Sequence, residues 1–208
     1  MLKTIFTAAI SLALVAVTAT DAGAQVSVHF GAKGGAIFSK ISSDNIDGKN
    51  KTGLISGGFV EIRRGAFSLQ PEILYVARGY KLKTAALSKV GDIEKVDINY
   101  IELPVLIKYA FPATPPVRPH LFAGPAVAVE IGATSYTYNS NTDVGSQVNN
   151  VGLNAIIGAG VDLAVGNGNL TFDIRYMHGI TETFDPDKAL VEDGGNNSGF
   201  AIMAGFSL

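Results

Sequence analysis

Between positions 99 and 109 the chain reads N-Y-I-E-L-P-V-L-I-K-Y, with apolar residues returning at every second position. Ile101, Leu103, Val105, Ile107 and Tyr109 fall on one side, and Tyr100, Glu102, Pro104, Leu106 and Lys108 on the other. A period of two is a strand signal, because a helix would scatter both sets around its circumference. The two faces differ in chemistry: one is wholly apolar, while the other carries an acid and a base. That contrast fits a barrel wall that is greasy outside and polar inside.

The same alternation recurs along the chain and predicts eight strands, over 26–38, 52–63, 66–80, 97–110, 118–133, 150–165, 169–181 and 198–208. Phe30 and Phe38 oppose His29 and Lys33; Phe67, Leu69, Pro71, Ile73 and Tyr75 oppose Ser68, Gln70, Glu72 and Leu74. Leu121, Val127 and Val129 oppose His120, Phe122 and Glu130; Leu170, Phe172 and Ile174 oppose Thr171, Asp173 and Arg175. Polar stretches over 39–51, 81–96, 134–149 and 183–197 read as long loops, whereas Arg64-Gly65, a Pro-rich link and Gly166-Asn167-Gly168 read as short turns. Connections therefore run long, short, long, short, long, short, long. Even-numbered outer-membrane barrels alternate external loops and periplasmic turns in this way, which puts both termini in the periplasm. The expected fold is all-β: an eight-stranded antiparallel up-and-down transmembrane barrel. A soluble lipocalin-like barrel would show the reverse pattern, apolar inside and wet outside.

Targeting and composition agree with that address. Lys3 followed by an apolar run and Ala22-Gly23-Ala24 reads as a signal peptide over 1–24, cleaved after Ala24, leaving one barrel domain over 25–208. The chain has no cysteine, which excludes a lipoprotein anchor and a disulfide scaffold. It is 47% hydrophobic and only 16% charged, yet no later run approaches a transmembrane helix. Apolar residues spread at alternate positions resolve the discrepancy. A net charge of −2 offers no basic face, so no nucleic-acid partner is expected.

Several motifs stand in order: G-A-K-G-G-A-I-F-S at 31–39, S-L-Q-P-E-I-L-Y at 68–75, Y-I-E-L-P-V-L-I-K-Y at 100–109, P-H-L-F-A-G-P at 119–125, G-A-G-V-D-L at 158–163 and L-T-F-D-I-R-Y at 170–176. Together they resemble the outer-membrane β-barrel domain family of Gram-negative bacteria that includes the PorT-like proteins. The resemblance implies an eight-stranded outer-membrane barrel and assigns no activity. Such barrels often end on an aromatic residue; this chain ends Phe206-Ser207-Leu208, so recognition by the barrel-assembly machinery would rest on Phe206.

Candidate chemistry lies in the lumen and the loops. Lys33, Glu61, Glu72, Arg78, Glu102, Lys108, Glu130, Asp162, Asp173 and Arg175 fall on the inward face, acids in excess. An eight-stranded lumen is just wide enough for side chains to fill, so these charges are expected to pair and plug it as a structural network. A small or gated pore is the alternative. The glycines form no phosphate loop, and His29, His120 and His178 lack metal spacing; no metal or cofactor is expected. A lipid-modifying enzyme would need Ser27 or Ser68 beside His29 or His120, with no recognisable nucleophile motif at either serine. Tyr75, Tyr80, Tyr100, Tyr109 and Tyr176, with Phe67, Phe111 and Phe206, are expected near strand ends as an interfacial belt. Tyr136, Tyr138 and Asn139 are candidate contacts for an unknown loop ligand. Outer-membrane lipid and lipopolysaccharide are the other expected partners, with rim lysines such as Lys40 meeting phosphate, and the chain is expected to be monomeric and non-enzymatic.

Overall fold

The computed structural model describes residues 26–43, 46–47, 51–81, 93–112, 116–137, 140–143, 151–180 and 196–208. Eight long strands form the wall: β1 (Val26–Ser43), β2 (Lys51–Arg64), β3 (Phe67–Lys81), β4 (Ile93–Ala110), β5 (Val117–Thr137), β6 (Val151–Val165), β7 (Gly168–Gly179) and β8 (Asn196–Ser207). Each pairs antiparallel with the next, and β8 returns to β1 in a register running from Gly31 opposite Ser207 to Ser42 opposite Asn196. Phe30 and Leu208 exchange two further backbone hydrogen bonds of 3.1 and 2.9 Å at the seam. The sheet thus has no free edge, the condition for a strand wall in lipid, where an unpaired peptide group costs several kcal/mol.

Sequence parity predicts the two faces correctly on every wall strand. Phe30, Leu54, Phe67, Ile73, Ile107, Ile157, Ile174, Phe200 and Ile202 are exposed on the outside, while Ile55, Glu72, Leu74, Leu106, Ile156 and Ala201, on the other parity, are buried. The turns at Gly65 and Gly166 adopt φ of 63° and 60°, the left-handed region that glycine enters without steric cost.

Two expectations need correction. Strands extend past their predicted outer ends: β1 reaches Ser43, β4 starts at Ile93, β5 reaches Thr137, and a short segment Ser140–Asp143 pairs back onto β5. Outside the bilayer a hairpin ladder still satisfies its backbone, so polar side chains do not end it. Tyr100 does not join the interfacial belt. It is buried on the inward face with the Arg78 guanidinium carbon 5.8 Å from its ring centroid. Parity overrode the aromatic preference there. Phe67, Tyr109 and Phe111 do cluster outside, at successive centroid separations of 5.1 and 5.1 Å. The targeting segment, Tyr138 and Asn139 lie outside the described residues.

Candidate functional site

The inward residues meet in tiers. At mid-height Lys33 Nζ lies 2.9 Å from Glu72 Oε1 and 3.0 Å from Asp173 Oδ2; Arg175 Nη1 lies 2.8 Å from Glu72 Oε2, and its Nη2 3.4 Å from Asp173 Oδ2. These four groups make a closed ring of alternating sign. Glu72 is on β3 and Arg175 on β7, four strands away around an eight-stranded wall, so their contact spans the lumen from side to side. Charge-assisted bonds of this kind are about twice as strong as neutral ones.

Both cations also lie against aromatic rings. Lys33 Nζ is 4.6 Å from the Phe59 centroid, and the Arg175 guanidinium carbon is 5.2 Å from that of Phe122. Phe59 faces Gly31 across the ladder and Phe122 faces Gly158, and a Cβ at either glycine would run into the opposing ring. Missing side chains on β1 and β6 therefore make room for rings from their neighbours.

Nearer the turns at Gly65 and Gly166, Lys108 Nζ lies 2.9 Å from Asp162 Oδ2, which is also 3.7 Å from Arg63 Nη2. Thr171 donates to Asp162 over 2.8 Å, and Ser68 donates to Glu61 over 2.7 Å. Arg63 holds Glu61 through contacts of 3.0 Å to both carboxylate oxygens. His120 links this tier to the ring: its Nε2 is 3.0 Å from Asp173 Oδ1, and Asp162 Oδ2 is 3.5 Å from Nδ1, a charge contact longer than a good hydrogen bond. Higher up, Arg78 Nη2 lies 2.5 Å from Glu102 Oε1, to which Asn154 also donates over 3.1 Å. Glu130 is half-buried on the inward face, nearer the outer end of β5. Around the Arg78 pair and above the ring the filling is apolar, with Ile37, Ile55, Leu74, Val76, Ile98 and Met203 buried together.

Lys33, Glu72, Asp173 and Arg175 are thus joined in one ring, Lys108 with Asp162 below, and Glu102 with Arg78 above. Sequence reasoning missed Arg63, although it shares parity with Glu61, and it offered His120 only a serine partner, not the aspartates it meets. Gln70 belongs here too, donating to Glu72 over 2.7 Å. Of the serine–histidine pairs considered, only Ser27 and His29 come together, at 3.2 Å; Ser68 is turned to Glu61, and His120 to the aspartates. No cluster of metal-ligating residues occurs among the described residues.

The pattern of an apolar outer face, a charged lumen and alternating connections has a counterpart among known families. The family model for the outer membrane protein beta-barrel domain matches residues 23–185. The chain belongs to that family. Its place is therefore the outer membrane. No curated protein sequence matches the chain. Among solved structures, the neisserial surface protein NspA is similar at 17% identity, covering 88% of this chain and 98% of its own, with a TM-score of 0.55. The outer membrane protein AlkL aligns at 11% identity over 91% of this chain and 92% of its own, TM-score 0.48. Ail, the attachment invasion locus protein of Yersinia pestis, aligns at 12% identity over 86% of this chain and 98% of its own, TM-score 0.44. At such identities the NspA likeness speaks for the fold alone.

Proposed function

We propose that this barrel is a closed wall element of the outer membrane that works through its external loops, not as a channel or an enzyme. The observation that carries the reading is the ring of Lys33, Glu72, Arg175 and Asp173, in which groups from opposite sides of the barrel meet within hydrogen-bond range. A solute would have to break several charge-assisted bonds in a narrow space, and a hydrated ion would have to displace the apolar tier above it as well. The inward charges, Glu130 among them, then serve as a structural plug. Ser68 and His120 are engaged with carboxylates, which supports a non-enzymatic role. Tyr136, Tyr138 and Asn139 stand in this reading as contacts for a loop ligand, the chain as a monomer, its leader as cleaved after Ala24, and its nearer kin as the PorT-like proteins.

Planar-bilayer recording on purified, refolded protein tests the closed lumen. The expected result is no stepwise conductance above that of protein-free membrane. Reproducible conductance steps that change on Glu72→Gln would overturn it and favour the gated-pore reading.

A further inference from the structure

His120 occupies a place in the lumen that its neighbours leave for it. On β5 it stands directly opposite Gly160 of β6, and Gly160 stands directly opposite Asp173 of β7. A Cβ on Gly160 would lie 2.5 Å from both His120 Nε2 and Asp173 Oδ1. The bare glycine is what lets the imidazole reach over β6 and meet an acceptor two strands away. The residue is 2% exposed, and the Phe122 ring lies 5.9 Å from its own between centroids.

The two ring nitrogens face carboxylates of different tiers. Nε2 is 3.0 Å from Asp173 Oδ1, in the ring with Lys33, Glu72 and Arg175. Nδ1 has no hydrogen-bond partner and is 3.5 Å from Asp162 Oδ2, in the tier with Lys108, Glu61 and Arg63. A carboxylate only accepts. A neutral imidazole, with one N–H, serves one aspartate and turns a lone pair to the other, whereas imidazolium donates to both. Lys33 from β1, Arg63 from β2, Lys108 from β4 and Arg175 from β7 are paired with Glu61 from β2, Glu72 from β3, Asp162 from β6 and Asp173 from β7. The half-buried Arg118 adds a cation toward the rim of β5 itself. An uncharged ring leaves the paired groups balanced in sign, and a proton adds a donor aimed at Asp162. Both states are therefore open to this buried side chain, and they differ by one bond between tiers.

We propose that His120 is a proton-operated clasp between the two ionic tiers. Protonated, it donates to Asp162 and Asp173 together and ties β5 to β6 and β7; neutral, it keeps only the bond to Asp173. Histidine is the side chain whose charge changes between about pH 5 and 8, where the carboxylates, lysines and arginines around it ordinarily do not titrate. The stability that the second bond contributes is present while the ring is charged and is lost as rising pH removes the proton. The ionic half of the plug thus tightens in acid and slackens in alkali. These contacts hold whether or not the lumen conducts, so bilayer recordings and the following titration can fail separately.

The test uses the refolded, isotope-labelled chain in maltoside micelles, with imidazole nitrogen shifts read by NMR at pH ~6 and pH ~9, on either side of the usual histidine range. At the lower pH both nitrogens of His120 are expected to carry protons, and at the higher pH only Nε2. In urea unfolding from lipid vesicles, the unfolding constant should be about tenfold larger at the higher pH. His29→Gln/His178→Gln removes the other two histidines and should keep that response, whereas His120→Gln should lose it. A single ionisation form of His120 at both pH values would overturn the proposal, and so would equal responses to pH in His120→Gln and the parent. The nitrogen shifts of the parent decide the matter even where a variant fails to refold.

Discussion

The two halves of the lumen solve one problem by opposite means. A closed eight-stranded wall leaves an interior that side chains must fill, and the middle tier and the one toward the Gly65 and Gly166 turns fill it with ions, while the tier toward the far end fills it largely with hydrocarbon. The ionic tiers depend on mutual satisfaction. Glu72 is stable where it is because Lys33, Arg175 and Gln70 all reach it, and removing one of them exposes the others to an uncompensated charge. The apolar tier depends on volume, and a truncation there costs the transfer of the lost groups and the void they leave. The two fillings should therefore respond differently to single changes.

The largest effect is expected in the ring. Arg175→Met keeps the bulk but leaves Glu72 and Asp173 facing a single lysine, and should cost about 3–5 kcal/mol in urea unfolding from lipid vesicles. Glu72→Met/Arg175→Met should recover part of that loss, since Lys33 and Asp173 still pair. A double variant as unstable as the sum of its singles would mean that the ring is not an energetic unit. The gel shift between unheated and boiled samples reports whether each variant still closes its barrel.

This difference between tiers also marks what the sequence reveals. Alternation alone places Lys33, Glu72, Asp173 and Arg175 inside, because parity is a property of one strand. It does not say that Glu72 meets Arg175 across four strands, since that depends on the stagger between strands accumulated around the closed sheet. Arg63 had the right parity but sits beside a turn, where a charged residue reads as a solvated end. The Gly31–Phe59 and Gly158–Phe122 pairs were illegible for the same reason: a glycine shows that space exists, and only register shows which ring uses it. Outer strand ends were misjudged because hydrophobicity reports on the bilayer, whereas strand pairing continues beyond it.

The next effect down lies in the apolar tier. Leu74 is wholly buried with Ile55, Val76 and Ile98 around the upper lumen. Leu74→Ala should cost about 3–4 kcal/mol: a transfer contribution for the lost methyl groups and a further one for a cavity that the rigid wall cannot close around. Raising salt should leave this loss unchanged and should barely alter that of Arg175→Met, because both sites are shielded from mobile ions.

Ile73 provides the sharpest contrast, for it is the chain neighbour of Leu74 and points the opposite way, 54% exposed where Leu74 is 0%. In the membrane that exposure is contact with acyl chains. Ile73→Ala therefore loses the transfer of about three methylene equivalents from water, roughly 2 kcal/mol at ~0.8 kcal/mol each, and little else, because a fluid lipid tail fills the vacated space. Leu74→Ala loses a similar transfer and keeps its void. Unfolding both variants in the same vesicles should place Ile73→Ala about 1–2 kcal/mol nearer the parent. Equal losses would show that the lumen relaxes around a gap as readily as lipid does. The upper tier would then be loosely packed, and the apolar half of the plug would be the place to look for a path through the barrel.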